Sequence, residues 1–111
     1  MNRNTEDNRL LSLGENYQFG RYVPQDYVRA RDYYERAAAL DNNVARYKLG
    51  FLYENGLGVE QNYETARGYY ERAAQQNHLS ALYRLGLLYE VGNGVEQDWV
   101  RARRYHEIAA E

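Results

Sequence analysis

Cysteine is absent from the 111-residue chain, which excludes disulfides, thiolate nucleophiles and cysteine-ligated zinc. That absence does not fix a compartment, because many exported bacterial proteins also lack cysteine. Histidine is scarce: His78 and His106 stand 28 residues apart, without the His-x-x-His or His-Glu-x-x-His spacing that builds a zinc site. No apolar run approaches the ~20 residues a membrane-spanning helix needs, and the mean hydropathy is -0.88. The polar start Met1 to Arg9 lacks the apolar centre of a secretory leader. As written the chain is expected to be soluble and cytoplasmic, with the periplasm or the exterior open to it if a leader has been removed. A formal net charge of -2 supplies no long-range attraction for nucleic acid or anionic lipid. Phenylalanine occurs twice and tryptophan once, against thirteen tyrosines.

Most of those tyrosines fall into columns of a repeat. Leu13-Gly14, Leu49-Gly50 and Leu85-Gly86 recur every 36 residues. Leu49–Gln75 laid over Leu85–Glu111 gives 16 identities in 27 positions, and Leu13–Ala39 over Leu49–Gln75 gives 15, where average composition yields roughly two. The shared positions include Tyr17/Tyr53/Tyr89, Gly20/Gly56/Gly92, Gln25/Gln61/Gln97, Ala30/Ala66/Ala102 and Tyr33/Tyr69/Tyr105. These residues pack; none is a nucleophile. A fixed period of this size points to a stacked solenoid rather than a catalytic globule.

Within one unit Ala45, Leu49, Leu52 and Tyr53 keep helical spacing, as do Tyr63, Ala66, Tyr70 and Ala73, so each unit reads as a helical hairpin. Asn55-Gly56-Leu57-Gly58-Val59 lies between its helices, and the two glycines permit positive φ where the first helix ends. Asp26, Asn62 and Asp98 stand where the second helix needs an N-cap. Asp41 and Asn77 stand at the left-handed turn between units. Gly14, Gly50 and Gly86 are expected to face Ala30, Ala66 and Ala102, letting the paired backbones approach. Three hairpins give an all-α fold of six helices, with repeats at approximately 8–43, 44–79 and 80–111 of a single domain, 1–111.

The segment Leu49-Gly50-Phe51-Leu52-Tyr53-Glu54-Asn55-Gly56-Leu57-Gly58-Val59-Glu60-Gln61-Asn62-Tyr63, followed by Ala66, Tyr69-Tyr70 and Ala73-Ala74 and repeated over Leu85–Ala110, resembles the Sel-one-like repeats. These are a branch of the tetratricopeptide-type helical solenoids. The resemblance implies a right-handed α/α superhelix whose concave side binds other proteins in adaptor, scaffold or masking roles. Departures sit at the ends. Tyr22 replaces the second loop glycine, which puts the left-handed turn of the first loop in question, while Trp99 and His106 replace tyrosines. The last helix ends at Ala109-Ala110-Glu111, so the final face either is exposed or meets another chain.

Chemistry finds little foothold. Gly56-Leu57-Gly58 and Gly92-Asn93-Gly94 follow helices and lack the Gly-Lys-Ser/Thr ending of a phosphate loop. Arg31/Glu35, Arg67/Glu71 and Arg103/Glu107 have the spacing of helix-surface ion pairs. Arg101, Arg103 and Arg104 form the basic cluster, without an aromatic platform to make it a nucleic-acid site. No cofactor or metal is implied.

In solenoids of the resembled type the first helix of each pair lines the inner surface, and its columns free of repeat packing mark a candidate stripe. They are Asn8, Ser12, Glu15 and Phe19; Val44, Lys48, Phe51 and Asn55; Ser80, Arg84, Leu87 and Val91. Glu15, Phe19, Val44, Lys48, Phe51, Asn55, Arg84, Leu87 and Val91 are the candidate protein-binding residues. They would suit a peptide with apolar anchors and a carboxylate. Alternatively Phe51 and Leu87 extend the core. The expected function is a non-enzymatic module binding a protein or peptide. The alternative is a structural unit that self-associates through its end repeats or belongs to a longer array.

Overall fold

A computed structural model describes the backbone of residues 3–111 and the side chains from residue 5 onward; Met1 and Asn2, at the start of the polar segment considered above, lie outside the described residues. Six helices follow one another: α1 (Arg3–Phe19), α2 (Tyr27–Ala39), α3 (Asn43–Asn55), α4 (Tyr63–Ala74), α5 (Leu79–Val91) and α6 (Trp99–Ala109). No strand occurs among the described residues.

Side-chain caps fix where the helices start. Asp26, Asn62 and Asp98 each accept a hydrogen bond from the backbone N–H three residues on, at 3.1, 3.0 and 3.0 Å, satisfying a donor the helix cannot. The preceding helices stop in left-handed turns, with φ of 65° at Gly56 and 85° at Gly92. Asp41 and Asn77 take the same region between hairpins, at 66° and 61°. Tyr22 does adopt the left-handed conformation in the first loop, at 69°. Each loop is closed by the repeated glutamine. Gln25, Gln61 and Gln97 Nε2 donate to the carbonyls of Gln18, Glu54 and Glu90 at 2.8, 2.7 and 2.8 Å, so a side chain satisfies the C-terminal carbonyls of α1, α3 and α5.

Helices pair as α1/α2, α3/α4 and α5/α6, and the pairs stack through α2 on α3 and α4 on α5. Leu10, Ala30, Tyr34, Ala37, Ala45, Leu49 and Leu52 are buried together in one core segment, with Ala66, Tyr70, Ala73, Ala81, Leu85 and Leu88 in the next. The core is therefore a row that runs through the stack, as a solenoid requires. On one flank the tyrosine columns stack as Tyr17 on Tyr33, Tyr53 on Tyr69 and Tyr89 on Tyr105, at 5.7, 5.8 and 5.7 Å between centroids.

The helix-crossing glycines are crowded by a ring that their spacing did not single out. A Cβ at Gly14, Gly50 or Gly86 would meet the ring of Tyr34, Tyr70 or His106 at 2.5, 2.6 or 2.5 Å. The absent side chain leaves room for a ring, and Tyr34 and Tyr70 fill that room completely, at 0% exposure. Ala30, Ala66 and Ala102 are buried one turn before these rings.

Candidate binding surface

The first helices of the hairpins lie side by side, and their shared surface is held by charge and aromatic contacts between neighbours. Lys48 on α3 reaches back to α1, with Nζ 3.5 Å from Glu15 Oε2 and 5.3 Å from the centre of the Phe19 ring. One repeat on, Arg84 of α5 reaches α3. Its guanidinium lies 5.5 Å from the Phe51 ring centre and its Nη1 3.9 Å from Glu54 Oε1. Period and function of the cation repeat together: each lies across an aromatic face and against a carboxylate of the preceding first helix.

Glu54 is in turn tied to the core, where the buried Tyr70 hydroxyl donates to its Oε1 at 2.6 Å. Burial, then the hydrogen bond and negative charge of Glu54, push the Tyr70 phenol far above its ordinary pKa. Around Arg84, burial opposes the charge, but the hydrogen bond to Tyr47 and the neighbouring Glu54 hold the guanidinium above its usual value. Arg84 thus stays charged and oriented. Next to it, Tyr47, Leu79, Ser80, Tyr83, Arg84 and Ala109 line a shallow depression. His78 roofs the far side of Tyr47, with ring centroids 4.9 Å apart.

The nine stripe residues therefore divide. Phe19, Val44, Asn55 and Val91 are exposed, while Glu15, Lys48, Phe51, Arg84 and Leu87 are half-buried. Phe51 packs against the first core segment, so part of its surface extends the core. Lys48 and Arg84 are engaged with carboxylates inside the chain and are not the free charges a repeat alignment suggests. Leu79 and Tyr83, exposed at 56% and 53%, belong to the depression and were not in the stripe. Their signal was present in the columns, since Leu79 stands where Asp7 and Asn43 are polar. The depression offers rings, an alkyl side chain and one oriented cation, suited to holding an apolar side chain beside an acceptor. Among the described residues no group of three or more His, Asp or Glu could hold a metal ion, and no helix is long and apolar enough to cross a membrane.

Stacked helical hairpins with a polar-rimmed apolar surface along their first helices define an α/α repeat solenoid. The Sel1 repeat matches residues 10–42, 43–78 and 79–111, and the chain belongs to that family. Sel1 repeats are typically protein-interaction modules and in general non-enzymatic scaffolds. Among solved structures, a Sel1 repeat protein from Oxalobacter formigenes is 30% identical with a TM-score of 0.89, over 94% of this chain and 42% of its own. A protective antigen of uropathogenic Escherichia coli strains, displaying the same repeat fold, is 34% identical with a TM-score of 0.88, over 94% of this chain and 22% of its own. Helicobacter pylori cysteine rich protein B shares the fold at 24% identity and a TM-score of 0.75, over 97% of this chain and 86% of its own. The chain spans less than half the length of the first two. No curated protein matches the sequence.

Proposed function

We propose that this chain holds a segment of another protein against the surface formed by α1, α3 and α5, as a non-enzymatic interaction module of adaptor, scaffold or masking type. The observation that carries this is the set of exposed apolar side chains on the first helices: Phe19, Val44, Leu79, Tyr83 and Val91 lie there, and Leu79 and Tyr83 line one depression. Exposed apolar groups rimmed by polar residues are the usual mark of a docking surface. Leu79 and Tyr83 anchor an apolar side chain of the partner, and Arg84, held in place by Glu54 and Tyr47, meets an acceptor on it. The partner needs no net acidic charge, because Glu15 and Glu54 already balance the two cations.

Affinity capture from the native organism's lysate with wild type, Leu79→Ser/Tyr83→Ser and Val28→Ser tests this. Val28 is 54% exposed on α2, a second helix, and serves as the control. A protein retained by wild type and by Val28→Ser but lost from the double variant is expected, at equal helicity by circular dichroism. Equal retention by all three places the contact elsewhere.

A further inference from the structure

The three inter-helix loops follow one backbone path, with φ of 69° at Tyr22, 72° at Gly58 and 71° at Gly94. In the second and third hairpins this turn presses onto the hairpin before it. A Cβ at Gly58 would lie 2.7 Å from the carbonyl carbon of Tyr27 and 2.8 Å from its carbonyl oxygen. At Gly94 it would lie 2.6 Å from Tyr63 Cβ, 2.8 Å from the Tyr63 carbonyl carbon and 3.0 Å from the amide nitrogen of Glu64. These atoms belong to the first turns of α2 and α4, which the Asp26 and Asn62 caps hold in place. Backbone cannot swing aside as a side chain can, so glycine at 58 and 94 is a condition of stacking as well as of turn geometry.

Tyr22 stands in the same column and carries a full side chain there, 95% exposed. The crowding that empties the position at 58 and 94 is absent at 22, since among the described residues no hairpin is stacked against the first loop. At the opposite end, Trp99 is the counterpart of Tyr27 and Tyr63. It is 62% exposed and Val100 beside it 73%, so the seat that receives a loop glycine in the first two repeats is uncovered in the third.

We propose that Tyr22 is a steric stop that makes the two ends of the solenoid non-complementary. The α6 end, at Trp99, accepts a hairpin of the same repeat type that carries glycine in the Tyr22 column, and it refuses the first repeat of a second copy of this chain. Continuity specifies the occupant: the α6 face extends the series in which α2 receives α3 and α4 receives α5. A head-to-tail contact between copies would be heterologous and would build an open filament; one side chain forbids it while the open end stays available to a different partner.

A tandem fusion reads this directly, since covalent linkage supplies the effective concentration that a weak end contact lacks. Joining Glu111 of one copy of the 111-residue sequence to Asn4 of a second keeps the 36-residue period unbroken. Trp99→Tyr in the second copy leaves the Trp99 at the junction as the sole tryptophan. Three versions carry Tyr22, Tyr22→Gly or Tyr22→Ala in the second copy. With Tyr22→Gly the junction closes: acrylamide quenching of Trp99 falls to roughly half that of the single chain, its emission shifts to the blue, and the fusion melts in one transition. With Tyr22 or Tyr22→Ala, Trp99 quenches as in the single chain, because alanine already places a Cβ against the α6 backbone. Protection of Trp99 in the Tyr22 fusion equal to that in the Tyr22→Gly fusion would overturn the stop. Full quenching in all three would overturn the open end.

Discussion

The hydroxyl of Tyr70, at the centre of the second hairpin, donates to Glu54 Oε1 at 2.6 Å, and that carboxylate also faces Arg84 of α5 at 3.9 Å. A core ring and a surface cation are thereby linked through one carboxylate. Tyr70→Phe removes the donor and leaves a mostly buried Glu54 with the guanidinium alone, which should cost about 1–3 kcal/mol. Arg84→Met should cost less by itself. The double variant should lose more than the sum of the two, because Glu54 then has neither partner. Urea unfolding of the four proteins in this cycle measures the coupling, and strict additivity would show that Glu54 does not bridge the two sites.

The glycine column makes a second prediction, in which position along the stack decides the size of the effect. A Cβ at Gly50 meets the Tyr70 ring at 2.6 Å, and that ring is 0% exposed, with neighbours on every side. Gly86 meets His106 at 2.5 Å, but His106 is half-buried on the terminal helix and can shift toward the open end. Gly50→Ala should therefore cost about 1–3 kcal/mol, and Gly86→Ala clearly less. Thermal melts of the two variants beside wild type check the order, and equal losses would mean that the terminal ring is as confined as the internal one.

The repeat made most of the backbone legible and left its partners obscure. Asp26, Asn62 and Asp98 as caps, Asp41 and Asn77 as left-handed turns and Gly56 as a helix stop follow from local chemistry, and the structure places each so. The ring over each helix-crossing glycine did not follow, because spacing identifies which residues face inward but not which of two inward neighbours takes the space. Tyr22 shows the same limit: its column called for glycine, and only the stack reveals that the demand comes from the preceding hairpin. Along the first helices, Lys48 and Arg84 stood out as cations, yet their carboxylates lie on other helices. Glu54 is 30 residues from Arg84 and Glu15 is 33 from Lys48, distances at which a helical repeat pairs residues but a linear reading does not.

The repeated surface ion pairs illustrate how little an exposed pair contributes. Arg103 Nε lies 3.4 Å from Glu107 Oε1, with the two side chains 76% and 67% exposed, and such pairs typically contribute about 0–1 kcal/mol. Glu107→Gln should change stability by no more than about 0.5 kcal/mol. A loss several times larger in chemical denaturation would mean that the pair acts as part of a network on α6.

Protonation should act on the fold through His78. Its Nδ1 accepts from the Ala81 N–H at 3.3 Å and caps α5, the place Asn42 fills for α3 with a 2.9 Å bond to Ala45. Only the neutral imidazole can accept there. Burial, then the Lys48 charge, hold its pKa below the ordinary histidine value of 6.5. The unfolded chain consequently takes up the proton first as pH falls. The stability that His78 contributes is complete above its unfolded pKa and is lost as pH descends through that value to the lower folded one. His78→Asn replaces a titrating cap with a permanent one of the kind found in the preceding repeat. At pH 7.5 the two proteins should differ little. At pH 5 the variant should be the more stable by about 1 kcal/mol, because every other titrating group is common to both and cancels in the comparison. Melting curves at the two pH values measure this difference, and parallel losses in both proteins would show that the cap does not titrate with folding.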